Sequence, residues 1–136
     1  SGSLGAKLKT VEDLMVTGNK IPFIRENERM KSALKIMSSK KLGILIIRNK
    51  KKLTIGIVTD GDLKRAIQKN NDIQNLTVKD IMTKNPISIE RNELAAKALG
   101  LMNLKKITSL CVHDEKYKLK TIAIIHLHNI LEANVQ

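Results

Sequence analysis

The stretch TVEDLM, residues 10–15, returns as TVKDIM at residues 77–82. The repetition extends downstream, because MKSALKIM (30–37) matches AAKALGLM (95–102) in length and apolar spacing. A repeat of about 65 residues indicates that the chain contains two copies of one structural unit. Two such copies predict a pair that shares one interface and is related by a pseudo-twofold axis.

Each copy has the same predicted order of elements, β-α-β-β-α. A Pro-containing extended segment precedes an amphipathic helix whose apolar residues recur at i, i+3, i+4 and i+7. Asn27 and Asn92 are the predicted caps of these helices. Two short strands joined by a polar turn follow, and a last helix closes the copy, which predicts an α+β fold with helices packed on a small sheet. The predicted strands lie at 21–24, 44–48 and 53–58 in the first copy and at 86–89, 109–113 and 119–125 in the second.

The repeat sets the predicted domain boundaries. Residues 1–9 are expected to be a linker remnant, residues 10–70 the first domain and residues 71–136 the second. Neither half contains enough apolar sequence to be very stable alone, so the two copies are expected to pack together.

Composition limits the compartment and the class of protein. Apolar residues make up 42% of the chain, and Cys111 is the only cysteine, so an internal disulfide is excluded and a reducing compartment is favoured. Cys111 lies in an apolar strand and is predicted to be a small buried core residue. The apolar runs are too short to span a bilayer and no leader opens the chain, which predicts a cytoplasmic protein without a membrane partner.

The net charge of +12 suggests nucleic-acid binding, but the residue types argue against it. Lysine outnumbers arginine 20 to 5, and Phe23 and Tyr117 are the only aromatics, whereas base readout and stacking favour arginine and aromatic side chains. The densest basic run, Asn49–Lys52, falls in a predicted turn. A solvated basic surface is the favoured interpretation, attraction of a small anion or acidic partner is an alternative, and no nucleic-acid partner is expected.

The stretch GIVTDGDL, residues 56–63, leads from a strand into a helix. Thr59 and Asp62 have the spacing of a capping box, with Thr59 at the N-cap and Asp62 at the third helical position. The same turn presents backbone N–H groups and a hydroxyl to a phosphate, and a carboxylate to a ribose diol. Capping and ligand binding both remain open, and they are compatible.

The second copy has AIIHLHNI, residues 123–130, at the corresponding position. His126 replaces Thr59, His128 replaces Gly61 and Asn129 replaces Asp62. Three interpretations stay open for this segment: a metal ligand pair, which the lack of a third ligand nearby disfavours; a polar strand end; and an anion or sugar contact.

These motifs resemble a known family. The tandem repeats, with VxDxM near each start and GIVTDGDL closing the first, resemble a pair of cystathionine-β-synthase (CBS) domains, also called a Bateman module. The stretches SLGAKL (3–8), VTDGDL (58–63) and IHLH (125–128) further resemble the C-terminal half of D-arabinose-5-phosphate isomerases. In that family a separate sugar-isomerase (SIS) domain performs catalysis, so the resemblance implies no catalytic residue in this chain.

The resemblance also implies which residues bind a ligand. CBS pairs use a Ser/Thr and an Asp three residues later for the phosphate and ribose of nucleotides, and they line the ligand cleft with the loop before the first strand. Asn129 stands where related isomerases commonly carry Asp, which leaves a charge-assisted ribose contact at that position in doubt. The predicted ligand-binding residues are Thr59, Asp60, Asp62, Lys84, Asn85, Pro86, His126, His128 and Asn129.

The expected function is regulatory. The resemblance implies a CBS pair that binds a nucleotide or nucleotide sugar, such as CMP-Kdo, and allosterically modulates an SIS isomerase domain of the same parent chain. CMP-Kdo suits feedback because arabinose 5-phosphate feeds Kdo and lipopolysaccharide synthesis. No cofactor or metal is expected to be required, and a homodimer through the CBS pairs is expected. The alternative is a purely structural dimerisation module that binds no ligand.

Overall fold

The computed structural model describes residues 4–70 and 72–135. The chain forms two compact units. The continuous unit runs from Asn19 to Pro86, and the discontinuous unit joins the residues up to Gly18 with those from Ile87 onward. Of the predicted linker remnant 1–9, residues 1–3 lie outside the described residues, and Leu4–Lys7 form a helix.

The elements follow the predicted β-α-β-β-α order in each repeat, with short helices added. The helices of the described residues are α1 (Leu4–Lys7), α2 (Val11–Leu14), α3 (Met30–Lys40), α4 (Asp60–Lys69), α5 (Val78–Ile81), α6 (Ala95–Lys105) and α7 (Leu127–Glu132). The strands are β1 (Phe23–Arg25), β2 (Ile44–Arg48), β3 (Thr54–Thr59), β4 (Thr83–Lys84), β5 (Ser88–Glu90), β6 (Ser109–His113) and β7 (Thr121–His126). Within the described parts of the chain, every helix falls short of the length and apolar character needed to cross a membrane.

Each unit is built on one mixed sheet. In the continuous unit the strand order is β1-β2-β3-β4, with β1 parallel to β2 and the other neighbours antiparallel. In the discontinuous unit the order is β5-β6-β7, with β5 parallel to β6 and β6 antiparallel to β7. The first strands begin two residues later than predicted, and the carbonyl of Pro22 accepts a hydrogen bond from the N–H of Ile46.

The leading segment of each repeat packs with the body of the other repeat. The N–H of Val11 donates to the carbonyl of Glu93 at 2.9 Å, while the N–H of Val78 donates to the carbonyl of Glu28 at 2.9 Å. The helix α2 therefore belongs to the discontinuous unit and α5 to the continuous unit. The boundaries 10–70 and 71–136 remain a prediction about the repeats, whereas the compact units divide the chain differently.

The predicted caps of the two long helices are wrong. The N-caps are Arg29 for α3 and Leu94 for α6, and neither makes a side-chain cap hydrogen bond. The first N–H groups of α3 instead donate to the carbonyls of Leu76 and Gln74, at 2.7 and 3.1 Å. Backbone groups of the leading segment thus satisfy donors that an asparagine side chain was expected to satisfy.

The core of each unit lies between its helices and one face of its sheet. The repeated apolar positions of α3 and α6 supply it, as their helical spacing predicts. The buried cluster of the continuous unit contains Ile24, Met30, Ala33, Met37, Leu45, Ile47, Val58 and Val78. That of the discontinuous unit contains Val11, Ile89, Ala95, Ala98, Met102, Leu110, Val112, Ala123, Ile125, Ile130 and Val135.

Cys111 is a buried strand residue, as the sequence predicts. It is 2% exposed, and burial raises the pKa of its thiol to about 12, although a side-chain hydrogen bond with Thr121 opposes the increase. Because the thiolate is the reactive form, we expect Cys111 to be alkylated by iodoacetamide far more slowly in the folded protein than in guanidinium chloride. Mass spectrometry of time points measures both rates, and equal rates would contradict the burial.

Candidate functional site

The turn from β3 into α4 forms the predicted capping box. Thr59 has extended backbone angles and is the N-cap of α4. The N–H of Asp62 donates to Thr59 Oγ1 at 3.3 Å, and the N–H of Thr59 donates to Asp62 Oδ2 at 2.9 Å. The threonine–aspartate spacing therefore has the structural role that the sequence predicts.

The carboxylate of Asp62 makes contacts beyond the cap. Oδ2 also accepts the Thr59 hydroxyl at 3.0 Å, while Oδ1 accepts the Thr83 hydroxyl at 2.7 Å and Arg65 Nη2 at 2.8 Å. Asp62 is only 6% exposed. A carboxylate offers about four lone-pair positions, so four hydrogen bonds occupy its accepting capacity. A sugar hydroxyl that binds this carboxylate therefore has to replace one of the present donors.

These hydrogen bonds set the charge state of Asp62. Burial by itself raises the pKa of its carboxyl group. Hydrogen bonds from Thr83, the Thr59 N–H, Arg65 and the Thr59 hydroxyl lower that pKa by a larger amount. The net effect places the pKa below the ordinary value of 3.8. Asp62 is therefore ionised at neutral pH despite its burial.

A cavity of about 260 Å³ borders Asp62 inside the continuous unit. It is open to solvent, lies along α4 and is bordered by α5 and the segments around it. Its wall combines basic and acidic groups with apolar ones. The lining residues are Asp62, Arg65, Ala66, Lys69, Asn70, Leu76, Asp80, Ile81 and Thr83. Such a lining suits a small polar molecule that carries both hydroxyl and anionic groups.

Within the described ranges, the other predicted residues of the continuous unit make no hydrogen bond to the Asp62 carboxylate. Asp60 is exposed, and its carboxylate approaches Gly43, where an added Cβ would lie 3.0 Å from Asp60 Oδ2. Lys84 ends β4 and is exposed, Asn85 has a positive φ of 54°, and Pro86 is half-buried. The ligand role of Asp60, Lys84, Asn85 and Pro86 stays a prediction.

Arg65 and Thr83 were missed by the sequence analysis. Arg65 stands three residues after Asp62, a spacing that places two side chains on the same helix face and is the signal that could have identified it. Thr83 reaches Asp62 because β4 pairs with β3, with Thr83 opposite Ile57. No local pattern marks that pairing.

The corresponding turn of the discontinuous unit separates its two predicted histidines. His126 is the N-cap of α7, and its Nδ1 accepts the N–H of His128 at 3.0 Å. The His128 ring instead lies 2.6 Å from the carboxylate of Glu132, from Nε2 to Oε1. Burial, followed by the charge of His128, lowers the pKa of His126. A neutral His126 that accepts at Nδ1 carries its proton on Nε2 and can donate it to a ligand.

Ser109 is a buried polar residue beside His126 that the sequence analysis missed. The two residues are direct partners in the antiparallel β6–β7 pair. Ser109 is 8% exposed, and among the described residues its Oγ has no hydrogen-bond partner. The first repeat has Ile44 at the equivalent position, opposite Thr59. An unpaired buried hydroxyl is costly, so a group that hydrogen-bonds Ser109 would be stabilising.

The remaining predicted residue of this turn, Asn129, lies half-buried in α7. Neither turn assembles a metal centre: no three His, Cys, Asp or Glu side chains cluster around a common point within the described ranges. The two turns therefore differ chemically. The first presents an ionised, fully hydrogen-bonded carboxylate, and the second presents a neutral imidazole beside an unpaired hydroxyl.

The sequence of this chain is similar to sequences of known proteins. The family model of the CBS domain matches residues 11–69 and again residues 78–135. Arabinose 5-phosphate isomerase KdsD of Escherichia coli (strain K12) is 36% identical over 135 residues, which cover 98% of this chain and 40% of that protein. The chain thus spans less than half the length of this relative.

Two solved structures have similar folds. A CBS-domain-containing protein from Agrobacterium tumefaciens, ATU1752, has a TM-score of 0.85 at 16% identity, over 99% of this chain and 100% of that one. CBSX2, solved in complex with AMP, has a TM-score of 0.77 at 24% identity, over 93% and 96% of the two chains. The arrangement of helices and strands in this chain is therefore shared with tandem CBS pairs.

Proposed function

The chain belongs to the CBS-domain family, and on that basis we propose that it is a ligand-binding regulatory pair that takes a nucleotide or a nucleotide sugar. CMP-Kdo is the proposed example. The bound effector modulates the activity or the assembly of an SIS isomerase domain in the same parent chain, and turnover of arabinose 5-phosphate is assigned to that domain. Similarity to KdsD over 98% of the chain supports the choice of parent, and the AMP complex of CBSX2 supports the class of ligand.

The observation that carries the proposal is the chemical difference between the two repeat turns. The ionised carboxylate of Asp62 suits the sugar hydroxyls of a nucleotide, and the Thr59 hydroxyl, which now donates to Asp62, suits a phosphate once it turns toward it. Arg65 is 66% exposed, so it is the donor to Asp62 that a ligand hydroxyl is proposed to replace. The released guanidinium is then available to the phosphate.

The second turn supplies selectivity in this proposal. Ser109 Oγ and His126 Nε2 both donate to an acidic or carbonyl group, such as the carboxylate of an acidic sugar. A plain nucleotide carries no carboxylate that could pair with Ser109 at this turn. The Thr59 turn is proposed to contact a phosphate and sugar hydroxyls, and the His126 turn is proposed, separately, to contact an acidic group.

We expect CMP-Kdo to raise the stability of the chain more than CMP, AMP, ATP or CTP does. A ligand at a hundred times its Kd adds about 2.7 kcal/mol of stability, which is readily seen in a thermal-shift assay. Isothermal titration measures Kd directly. Ser109→Ala is expected to weaken CMP-Kdo binding while leaving CMP binding unchanged, and Thr108→Ala, at the preceding exposed position, is the matched control.

A second candidate function is a structural dimerisation module without a ligand. The four hydrogen bonds of Asp62 within the continuous unit favour it, because they give the carboxylate a complete structural role. The regulatory proposal would be contradicted, and this one supported, if no nucleotide of the panel shifts the Tm and sedimentation shows an unchanged dimer.

The remaining parts of the proposal concern assembly and location. We infer a homodimer formed through the CBS pairs, a cytoplasmic location, and no nucleic-acid or membrane partner. The repeats at 10–70 and 71–136 are the proposed CBS domains, and Lys84, Asn85 and Pro86 are proposed to supply backbone contacts to the ligand. No cofactor is required in this proposal.

A further inference from the structure

Two arginines lie side by side at the carboxyl ends of β1 and β2. Arg25 and Arg48 are direct partners in this parallel pair. They lie at the opposite end of the sheet from Thr59, because β2 and β3 are antiparallel and Arg48 pairs with the first residue of β3, Thr54, rather than with its last. This arginine pair is therefore separate from the strand-to-helix turn described above.

The arginine pair lies on the sheet face that does not contribute to the core of the continuous unit. Ile24 and Ile47, which immediately precede the two arginines, belong to the buried cluster. Successive side chains of a strand point to opposite faces, so Arg25 shares the other face with Phe23, and Arg48 lies against the Phe23 ring. The guanidinium carbon of Arg48 lies 3.6 Å from the centroid of the Phe23 ring. This cation–π contact favours a position of the guanidinium over the ring.

The charge of the arginine pair is not balanced by the protein. Across the described ranges, neither Arg25 nor Arg48 takes part in an ion pair. Burial, and then the positive charge of Arg25, lower the pKa of Arg48. The next turn adds three exposed lysines, Lys50–Lys52. Like charges directly opposite each other destabilise a sheet, so this arrangement has a cost unless an anion offsets it.

The fold does not require arginine at these positions. In the discontinuous unit the equivalent partners are Glu90 and His113, which have opposite or neutral charge. Ser88 stands in the place of Phe23, and its Oγ is hydrogen-bonded to His113 Nδ1 at 2.8 Å. The second repeat therefore builds the same strand ends without electrostatic repulsion, and the arginine pair is a property of the first repeat alone.

We propose that Arg25 and Arg48 form a binding site for a phosphate monoester, such as the phosphate group of a small phosphorylated sugar. Two guanidinium groups carry the charge that matches a phosphate dianion, and each can donate two parallel hydrogen bonds to its oxygens. The Phe23 ring orients one guanidinium in advance, and the exposed lysines raise the local concentration of anions. The site is additional to the nucleotide site of the proposed function and does not depend on it.

Inorganic phosphate is the first probe. At constant ionic strength, replacing chloride by phosphate is expected to raise the Tm of the wild-type chain in a concentration-dependent way. Arg25→Gln and Arg48→Gln are each expected to abolish this response. In chloride alone, the same variants are expected to be at least as stable as the wild type, because the repulsion has been removed. Lys51→Gln is the control, since it removes one nearby charge and leaves both guanidinium groups in place.

Further measurements test which anion binds and whether the arginine pair acts independently of the nucleotide site. A stronger response to ribose 5-phosphate than to ribose supports a sugar phosphate. An unchanged phosphate response in Asp62→Asn shows that the arginine pair acts independently of the nucleotide site. The proposal is overturned if phosphate gives no more stabilisation than chloride, if the double variant Arg25→Gln/Arg48→Gln keeps the full response, or if the pair binds single-stranded RNA that phosphate does not displace.

Discussion

Replacing Gly56 by alanine is expected to lower the free energy of unfolding by about 3 kcal/mol, near the upper end of the cost of overpacking. Gly56 lies in β3 between two neighbouring strands and pairs with Ile47 and Lys84. A Cβ at this position would lie 2.6 Å from Met82 Sδ and 2.9 Å from the carbonyl oxygen of Thr83. The methionine side chain can move, but the carbonyl cannot do so without disturbing the pairing of β3 with β4.

Gly100→Ala is the matched control for this substitution. Gly100 is exposed within α6, and an added Cβ there meets no atom within 4 Å. The control is expected to stabilise the chain by about 0.5–1 kcal/mol, because alanine is the better helix former. Urea unfolding followed by circular dichroism measures both changes, since the chain has no tryptophan. A Gly56→Ala variant as stable as the wild type would show that β4 does not pack against β3 as described.

The second large effect is expected for Asp62→Asn, which should destabilise the chain by about 2–3 kcal/mol. An asparagine cannot accept the four hydrogen bonds that the carboxylate receives from Thr59, Arg65 and Thr83. The matched control is Asp80→Asn, in the same unit. Asp80 accepts the N–H and hydroxyl of Thr77, at 3.0 and 2.9 Å, but it is exposed and, within the described residues, these capping bonds are its hydrogen bonds. Loss of this cap alone is expected to cost about 1 kcal/mol.

The pH dependence of the Asp62 effect has a definite sign. The pKa of Asp62 is lowered in the folded chain, so its contribution to stability is complete above the unfolded value near 3.8 and is lost as pH falls through the folded pKa. The stability difference between the wild type and Asp62→Asn is therefore expected to shrink between neutral pH and about pH 2. Urea titrations at several pH values measure it, and a difference that grows on acidification would contradict the assignment.

Local patterns in the sequence were sufficient for most of the fold. The repeat of TVEDLM as TVKDIM predicted two copies, and apolar spacing predicted α3 and α6 with their buried faces. These features depend on neighbours within a few positions, where periodicity is informative. The exchange of leading segments was not predicted, because the hydrogen bond from Met30 to Leu76 joins residues that no local pattern relates. The same exchange made the predicted caps at Asn27 and Asn92 wrong.

In the candidate site, too, local sequence patterns predict some of the contacts and strand register decides the others. The capping box of Thr59 and Asp62 was predictable from their spacing of three residues. Thr83 and Ser109 were not, because strand register brings the first to Asp62 and the second to His126. Two histidines two positions apart also gave no indication that one would cap a helix while the other paired with Glu132.

The segment exchange has a consequence for how the chain reaches its folded state. The residues of the continuous unit lie in one stretch of sequence, so its loops are shorter and all of its residues are present once Pro86 has been synthesised. The discontinuous unit must join residues that are far apart, such as Glu12 and Arg91, which are 79 positions apart. Closing so large a loop costs more chain entropy and slows folding. We therefore expect the first repeat to fold around the α5 segment during synthesis, and α2 to pack only after the second repeat has been made.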